Sequence, residues 1–227
     1  MTKETIIISL GGSLIIPDEI DLEFLRDFQK LVLAQVALGK KFVIITGGGK
    51  INQRYNEAAK ILSSPSGEDL DWIGIAALKL NAELVRVIFG DSAHPQVIAD
   101  LSSNFDSPKP VIIGSAFKPG SSTDYDAALA AKNLGAKKLV NLSNIDYVYD
   151  ADPKINPNAK KIEKISWAEY RKLIPPKWTS RLNSPFDPIA SKLAEEYNLE
   201  VIIMNGKPIT SLENYLNGKK FAGTIIS

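Results

Sequence analysis

Two short apolar runs rich in β-branched residues, 5–10 (TIIISL) and 42–46 (FVIIT), each end in glycines: Gly11-Gly12 after the first and Gly47-Gly48-Gly49 after the second. Runs this short and this uniformly apolar read as strands buried on both faces, which demands helices above and below them. Between them Leu22, Leu25, Phe28, Val32 and Val36 keep a three-to-four-residue spacing that stops at Gly39, an amphipathic helix with a glycine stop. A second helical stretch, 50–62, follows the second glycine turn directly. Strand, glycine turn, helix is the unit from which parallel sheets are assembled.

The remaining chain continues the alternation. A loop at 63–67 leads to a helix over 70–89, short strands at 96–99 and 111–113 and a loop over 114–122. A helix then runs from Thr123 or Asp124 to Leu134, stops at Gly135, and is followed by a strand at 138–142. Residues 144–158 are hairpin-like or irregular; Asp187-Pro188 opens a helix ending near Asn198, and strands follow at 200–204 and 224–226. At about 150 residues per domain, a 227-residue chain allows one domain or two. It has no internal repeat, low-complexity tract or polar linker. The expectation is an α/β fold, a three-layer αβα sandwich with a mainly parallel central sheet, in a single domain over 1–227.

Composition excludes several kinds of chemistry. With 27 Lys+Arg against 26 Asp+Glu the net charge is +1, too balanced to draw a nucleic-acid backbone or an anionic membrane without specific contacts. The longest uncharged stretch, 5–17, falls short of the roughly 18 residues of a membrane span and lacks a signal-peptide cleavage site. A cytoplasmic location is expected. Zero cysteines remove disulfides and thiolates, and His94 as the only histidine removes HExxH zinc sites. His94, beside Pro95, reads as a surface loop residue. Any catalysis here must use carboxylates, hydroxyls, lysines and backbone amides.

The glycine turns supply such amides. A third glycine loop, Lys118-Pro119-Gly120-Ser121-Ser122-Thr123-Asp124, also runs straight into a helix. Glycine lets backbone N–H groups approach an anion, and a helix start adds partial positive charge. Three such turns at the carboxyl ends of parallel strands suggest a polyphosphate between them. Neither a GxxxxGK[ST] loop nor a GxGxxG after a strand is present, so the common nucleotide fingerprints do not apply. Taken singly, each turn is no more than a tight turn, Ser122 or Thr123 an N-cap, Asp124 and Asp126 favourable first-turn charges, and Asp187-Pro188 an N-cap with proline at N1. Asn141-Leu142-Ser143 is a glycosylation sequon in a buried strand and carries no weight.

Their joint order resembles a known family. Gly11-Gly12-Ser13, Gly47-Gly48-Gly49-Lys50, Asp71-Trp72-Ile73-Gly74-Ile75, the 119–124 loop PGSSTD, the 143–154 segment SNIDYVYDADPK and Asp187-Pro188-Ile189-Ala190 are similar, from Ile6 to Ile226, to the amino acid kinase superfamily, and within it to uridylate (UMP) kinases of the archaeal type. The resemblance implies magnesium-dependent transfer of the ATP γ-phosphoryl group to UMP. It assigns Ser9, Leu10, Gly11, Gly12, Ser13 and Gly49 to ATP phosphates, and Ser143, Asn144, Tyr149 and Asp152 to the adenosine part. It assigns Gly48, Asp71, Phe117, Lys118, Pro119, Gly120, Ser121, Ser122 and Thr123 to UMP, with Asp71 on the ribose. Asp187 would orient a lysine or magnesium; the metal would travel on the nucleotide phosphates. A homohexamer built from dimers is implied as well.

The chain departs from the family pattern where Ser9 replaces a lysine, Gln53 an arginine and Tyr147 a glycine. Lys50, Lys118 and Lys154 are the candidate replacement cations, with Lys50 first as the residue after Gly49. Alternatives are another phosphate or carboxylate kinase of the superfamily, or a noncatalytic nucleotide- or anion-binding protein. Isopentenyl phosphate kinases carry a histidine in the helix after the glycine turn, and 50–54 has none.

Overall fold

The computed structural model describes residues 4–102, 107–116, 118–177 and 184–227. Strand β1 (Thr5–Leu10) leads into a one-turn helix α1 (Gly12–Ile15) and then α2 (Leu22–Ala37), whose N-cap Asp21 accepts from the Phe24 N–H at 2.9 Å. β2 (Lys41–Thr46) is followed by α3 (Gly49–Leu62) and the long α4 (Gly67–Phe89). After β3 (Val111–Gly114) come α5 (Thr123–Leu134), β4 (Lys138–Ser143) and the short strands β5 (Val148–Tyr149), β6 (Lys161–Ile162) and β7 (Lys164–Ile165). The chain closes with α6 (Trp167–Leu173), α7 (Pro188–Glu196), β8 (Glu200–Asn205), α8 (Thr210–Leu216) and β9 (Thr224–Ile226).

The main sheet has the order β3-β2-β1-β4-β8-β9-β7, parallel from β3 through β8, with β9 antiparallel to β8 and parallel to β7. Successive residues of a strand face opposite ways, so each strand feeds two cores. Ile6, Ile8, Leu10, Phe42, Ile44, Val140 and Met204 pack under α2, α4 and α8, against Phe24, Phe28, Val85, Phe89 and Leu212. Ile7, Val43, Ile45, Leu139, Val201 and Ile203 pack on the other face against Ala127, Ala128, Ala130 and Ala131 of α5, Trp167 and Tyr170 of α6, and Ala190 and Ala194 of α7. Helix, sheet and helix make three layers, as expected. The alanines of α5 let that helix lie close to the sheet, which holds its N-terminus near the ends of β1 and β4.

Several elements differ from expectation. Helix α4 starts at Gly67 because Ser66 and Asp69 form a reciprocal capping box. Residues 96–99 do not form a strand: Ala93 and Ile98 make single parallel bridges to Val111 and Gly114 at the sheet edge, with Pro95 between them. Helix α7 ends at Glu196, where Asn198 turns left-handed at φ 51°. Helices α1, α6 and α8, of four and seven residues, are too short to show a periodicity. His94 is half-buried, with its ring Nδ1 3.0 Å from Ser107 Oγ.

Candidate active site

Strand order places the site. From β1 the chain moves outward to β2 and β3, then returns past β1 to β4, so the carboxyl ends of β1 and β4 flank a topological switch point where α/β sheets hold ligands. At that edge the Gly11 N–H donates to Leu142 O at 2.7 Å and the Gly47 N–H to Leu10 O at 2.8 Å. The first two glycine turns touch main chain to main chain: a Cβ on Gly12 would lie 2.0 Å from Gly49 N, and one on Gly49 2.4 Å from Gly12 O. Gly49 also has φ +62°, so glycine is required there twice over.

Beside these turns lies a cleft of about 320 Å³. Gly47 and Gly48, which follow β2, lie on one side; Asn52 and Asn56 of α3 and Leu70, Asp71, Gly74, Ile75 and Leu78 of α4 form a wall; Ala116, the loop 118–124, Ser184 and Asp187 complete it. Helix α4 is tied to β2 by Thr46 Oγ1 donating to Leu78 O at 3.0 Å and Asn81 Nδ2 donating to Gly47 O at 2.8 Å. Across the cleft the Gly120 N–H donates to Asp71 Oδ2 at 3.3 Å, with Gly120 at φ +85°.

Under the loop sit three carboxylates. Asp124 Oδ1 accepts from Ser9 Oγ at 3.2 Å and from Asn141 Nδ2 at 2.9 Å. Asp187 caps α7, its Oδ1 accepting from the Ile189 and Ala190 N–H groups at 2.7 and 2.9 Å, while Oδ2 accepts from Ser122 Oγ. Ser122 Oγ in turn accepts from the Tyr125 N–H at 3.1 Å, so one hydroxyl joins the starts of α5 and α7. Burial pushes the Asp124 carboxyl up to about 7, Asp187 adds to this, and the Ser9 hydrogen bond opposes it. Burial likewise pushes Asp126 up to about 7, against its hydrogen bond from Ser121 and the charge of Lys118.

The structure gathers many of the sequence-predicted residues. Gly48, Asp71, Lys118, Pro119, Gly120, Ser121, Ser122, Thr123 and Asp187 all line the cleft. Leu10, Gly11, Gly12 and Gly49 form the joined turns, Ser13 lies in α1, and Ser143 abuts Gly11, whose added Cβ would lie 3.3 Å from Ser143 Cα. Asn144 is exposed, Tyr149 is on β5, and Asp152 is in an exposed turn where its Oδ1 accepts from the Lys154 N–H at 2.9 Å. Phe117 lies outside the described residues. Lys50 is the second residue of α3, half-buried, with its N–H on Ile16 O at 3.1 Å, and is not among the residues lining the cleft. Arg54 turns the other way, to Asp18 at 2.6 Å and Glu19 at 3.6 Å.

Sequence reasoning treats Asp124 as a helix-start charge and Asn141 as an idle sequon; the structure joins the two by a hydrogen bond at the switch point, with Asn141 buried. A polar asparagine inside a doubly buried strand is the available signal for Asn141. Asn52 and Asn56 are also missed, since amides four residues apart on a polar helix face look solvated until α4 packs over them. Among the described residues the arrangement offers amides, hydroxyls, one lining lysine and carboxylates, a set suited to holding and aligning phosphates.

Residues 4–205 match the amino acid kinase family, and the chain belongs to that family. It is 31% identical over 224 residues to the uridylate kinase of Thermococcus onnurineus, covering 97% of this chain and 98% of that protein. It is 32% identical, with the same coverage, to the uridylate kinase of Pyrococcus abyssi. The crystal structure of uridylate kinase from Archaeoglobus fulgidus superposes with a TM-score of 0.82 at 30% identity, over 98% of this chain and 99% of that one.

Proposed function

We propose that the chain transfers the γ-phosphoryl group of ATP to UMP, giving ADP and UDP, from a single domain. The observation that carries this reading is the cleft bridged by Asp71 and Gly120 beside the joined glycine turns, in a chain related along nearly its whole length to uridylate kinases. An oxygen of the UMP phosphate bonds to the γ-phosphorus as the bond from that phosphorus to the bridging oxygen of ADP breaks. Such transfer needs in-line alignment and charge neutralisation more than covalent help from the protein.

In this reading Ser9 to Ser13 and Gly49 hold the ATP phosphates and Ser143, Asn144, Tyr149 and Asp152 the adenosine, while Gly48, Asp71 and the loop 117–123 hold UMP. Lys50 neutralises the moving phosphoryl group. Asp187 acts through Ser122, holding the loop at the start of α5. Among the described residues no group of three His, Cys, Asp or Glu side chains is placed to hold a metal ion. Magnesium in this reading would be carried by the nucleotide phosphates and its own waters, where it would neutralise phosphate charge.

A homo-oligomer accords with a second, apolar groove of about 510 Å³ between α3 and α4, where Ile20, Leu80 and Val87 are exposed beside Ile51 and Leu84. A cytoplasmic site of action belongs to this reading; no helix among the described residues is long and apolar enough to cross a membrane. The test is turnover with ATP and magnesium against UMP, CMP, dUMP, isopentenyl phosphate and amino acids. UMP should give the highest kcat/KM. A different preferred acceptor, or no turnover at all, would replace this reading.

A further inference from the structure

Asn52 and Asn56 stand four residues apart on α3, hence on one helix face, and both line the cleft. Asn56 is 2% exposed; its Nδ2 donates to Asn52 Oδ1 at 2.6 Å and its Oδ1 has no partner among the described residues. A half-satisfied buried amide lowers stability, so packing alone gives no reason for an asparagine at 56. What the pair does is fix the Asn52 head. With Oδ1 engaged, Asn52 has its Nδ2 donors left, and these lie 3.2 Å from the point where a Cβ on Gly48 would sit and 3.6 Å from the same point on Gly74. Gly74 is three residues past Asp71 on α4. The Asn52 amide thus sits in a space kept open by two glycines, between the β2 glycine turn and the helix face that carries Asp71.

The charge on this wall is unusual for an anion site. Arg54 is turned away by Asp18 and Glu19, Gln53 is exposed, and among the described residues the cation that lines the cleft, Lys118, comes from the 118–124 loop. We infer that Asn52 donates to the phosphate of the acceptor nucleotide, as a neutral specificity-determining group on the α3 wall, and that Asn56 positions it. This inference rests on the proposed reaction. A neutral amide holds a phosphate by directed hydrogen bonds alone, where a guanidinium would add a full charge to a two-pronged hydrogen bond.

The experiment measures KM for UMP and for ATP, the inhibition constant of uridine, and the melting temperature of wild type, Asn52→Ala, Asn52→Asp and Asn56→Leu. A hydrogen bond to a charged group corresponds to about a tenfold to hundredfold change in affinity. Asn52→Ala should raise the UMP KM about tenfold, and Asn52→Asp, which turns a carboxylate toward the phosphate, about a hundredfold. ATP KM, uridine inhibition and melting temperature should stay near wild type, because uridine lacks the phosphate. Asn56→Leu should raise the UMP KM severalfold with kcat and ATP KM retained and no loss of melting temperature. An unchanged UMP KM in Asn52→Ala and Asn52→Asp overturns the inference. So does an equal loss of uridine binding, which would put the amide on the nucleoside. If wild type rejects UMP but turns over another phosphate acceptor, the proposed function fails by itself, and an unchanged KM for that acceptor in the Asn52 variants overturns the inference separately.

Discussion

Asp126 offers a test of how far burial governs the carboxylates beneath the 118–124 loop. It is 4% exposed; Oδ1 accepts from Ser121 Oγ at a long 3.5 Å and Oδ2 has no partner among the described residues. Its carboxyl rises from 3.8 to about 7, chiefly through burial, with the charges of Asp187 and Asp100 adding to the effect. The folded state therefore favours the neutral acid, while the unfolded chain releases the proton near pH 4. Between roughly pH 4 and 7 the native state binds more protons, so stability falls as pH rises through that window. A shift of about three units at ~1.4 kcal/mol each makes the full cost about 4 kcal/mol above pH 7. Roughly a third of it is already present at pH 5. The substitution Asp126→Asn keeps the shape of the side chain, removes the ionisable group and replaces a carboxylate oxygen by an N–H donor. The stability advantage of this variant over wild type should grow by on the order of 2–3 kcal/mol between pH 5 and pH 8.5, read from urea midpoints at the two pH values. An advantage of equal size at both pH values, or a loss of stability at pH 8.5, would refute the reasoning and show that the carboxylate is solvated or paired.

Asp71→Ala should raise the UMP KM with a smaller effect on the ATP KM, measured by steady-state kinetics; an unchanged UMP KM would remove Asp71 from the acceptor site. A Cβ on Gly120 would meet no atom within 4 Å but must hold φ +85°, so Gly120→Val should abolish UMP binding in calorimetry while costing only about 1–2 kcal/mol of stability. Lys50→Met should lower kcat and kcat/KM together by about 10²-fold and leave both KM values nearly alone. If kcat is retained, Lys118, which lines the cleft as Lys50 does not, becomes the cation to test.

The fold was legible wherever one residue type has one physical use. Apolar runs ending in Gly11-Gly12 and Gly47-Gly48-Gly49 could only be buried strands feeding turns, and the Asp187-Pro188 cap opens α7 as written, its carboxylate on the Ile189 and Ala190 amides. Helices of seven residues or fewer were not legible, because α1, α6 and α8 complete too few turns for a period to emerge and are held by tertiary contacts such as Leu212 and Leu216 in the core. The loop side of the cleft was readable because Lys118 to Thr123 follow one another in the chain and line it together. The α3 wall was not: which face of that helix meets α4 is decided by packing, and so is the direction of Arg54, which its sequence position left open. Lys50 shows the same limit, since adjacency to Gly49 along the chain did not make it line the cleft.

The contact between the two glycine turns divides this molecule into a part that substitution can reach and a part that it cannot. At Gly12, Gly47 and Gly49 the atoms a side chain would strike are main chain, as close as 2.0 Å between positions 12 and 49 and 2.5 Å between positions 47 and 12. No compensating replacement elsewhere can clear that space, because a backbone has no smaller version of itself. In a library of variants these positions should therefore read as glycine alone, singly and in combination. On the proposed reading, novelty in acceptor choice enters through Asn52, Asn56 and the 118–124 loop; a Cβ on Gly120 would meet open space, and one on Gly48 or Gly74 the side chains of Asn52 and Leu78. A chain built this way can change what it phosphorylates without disturbing the junction at which its strands β1 and β2 end.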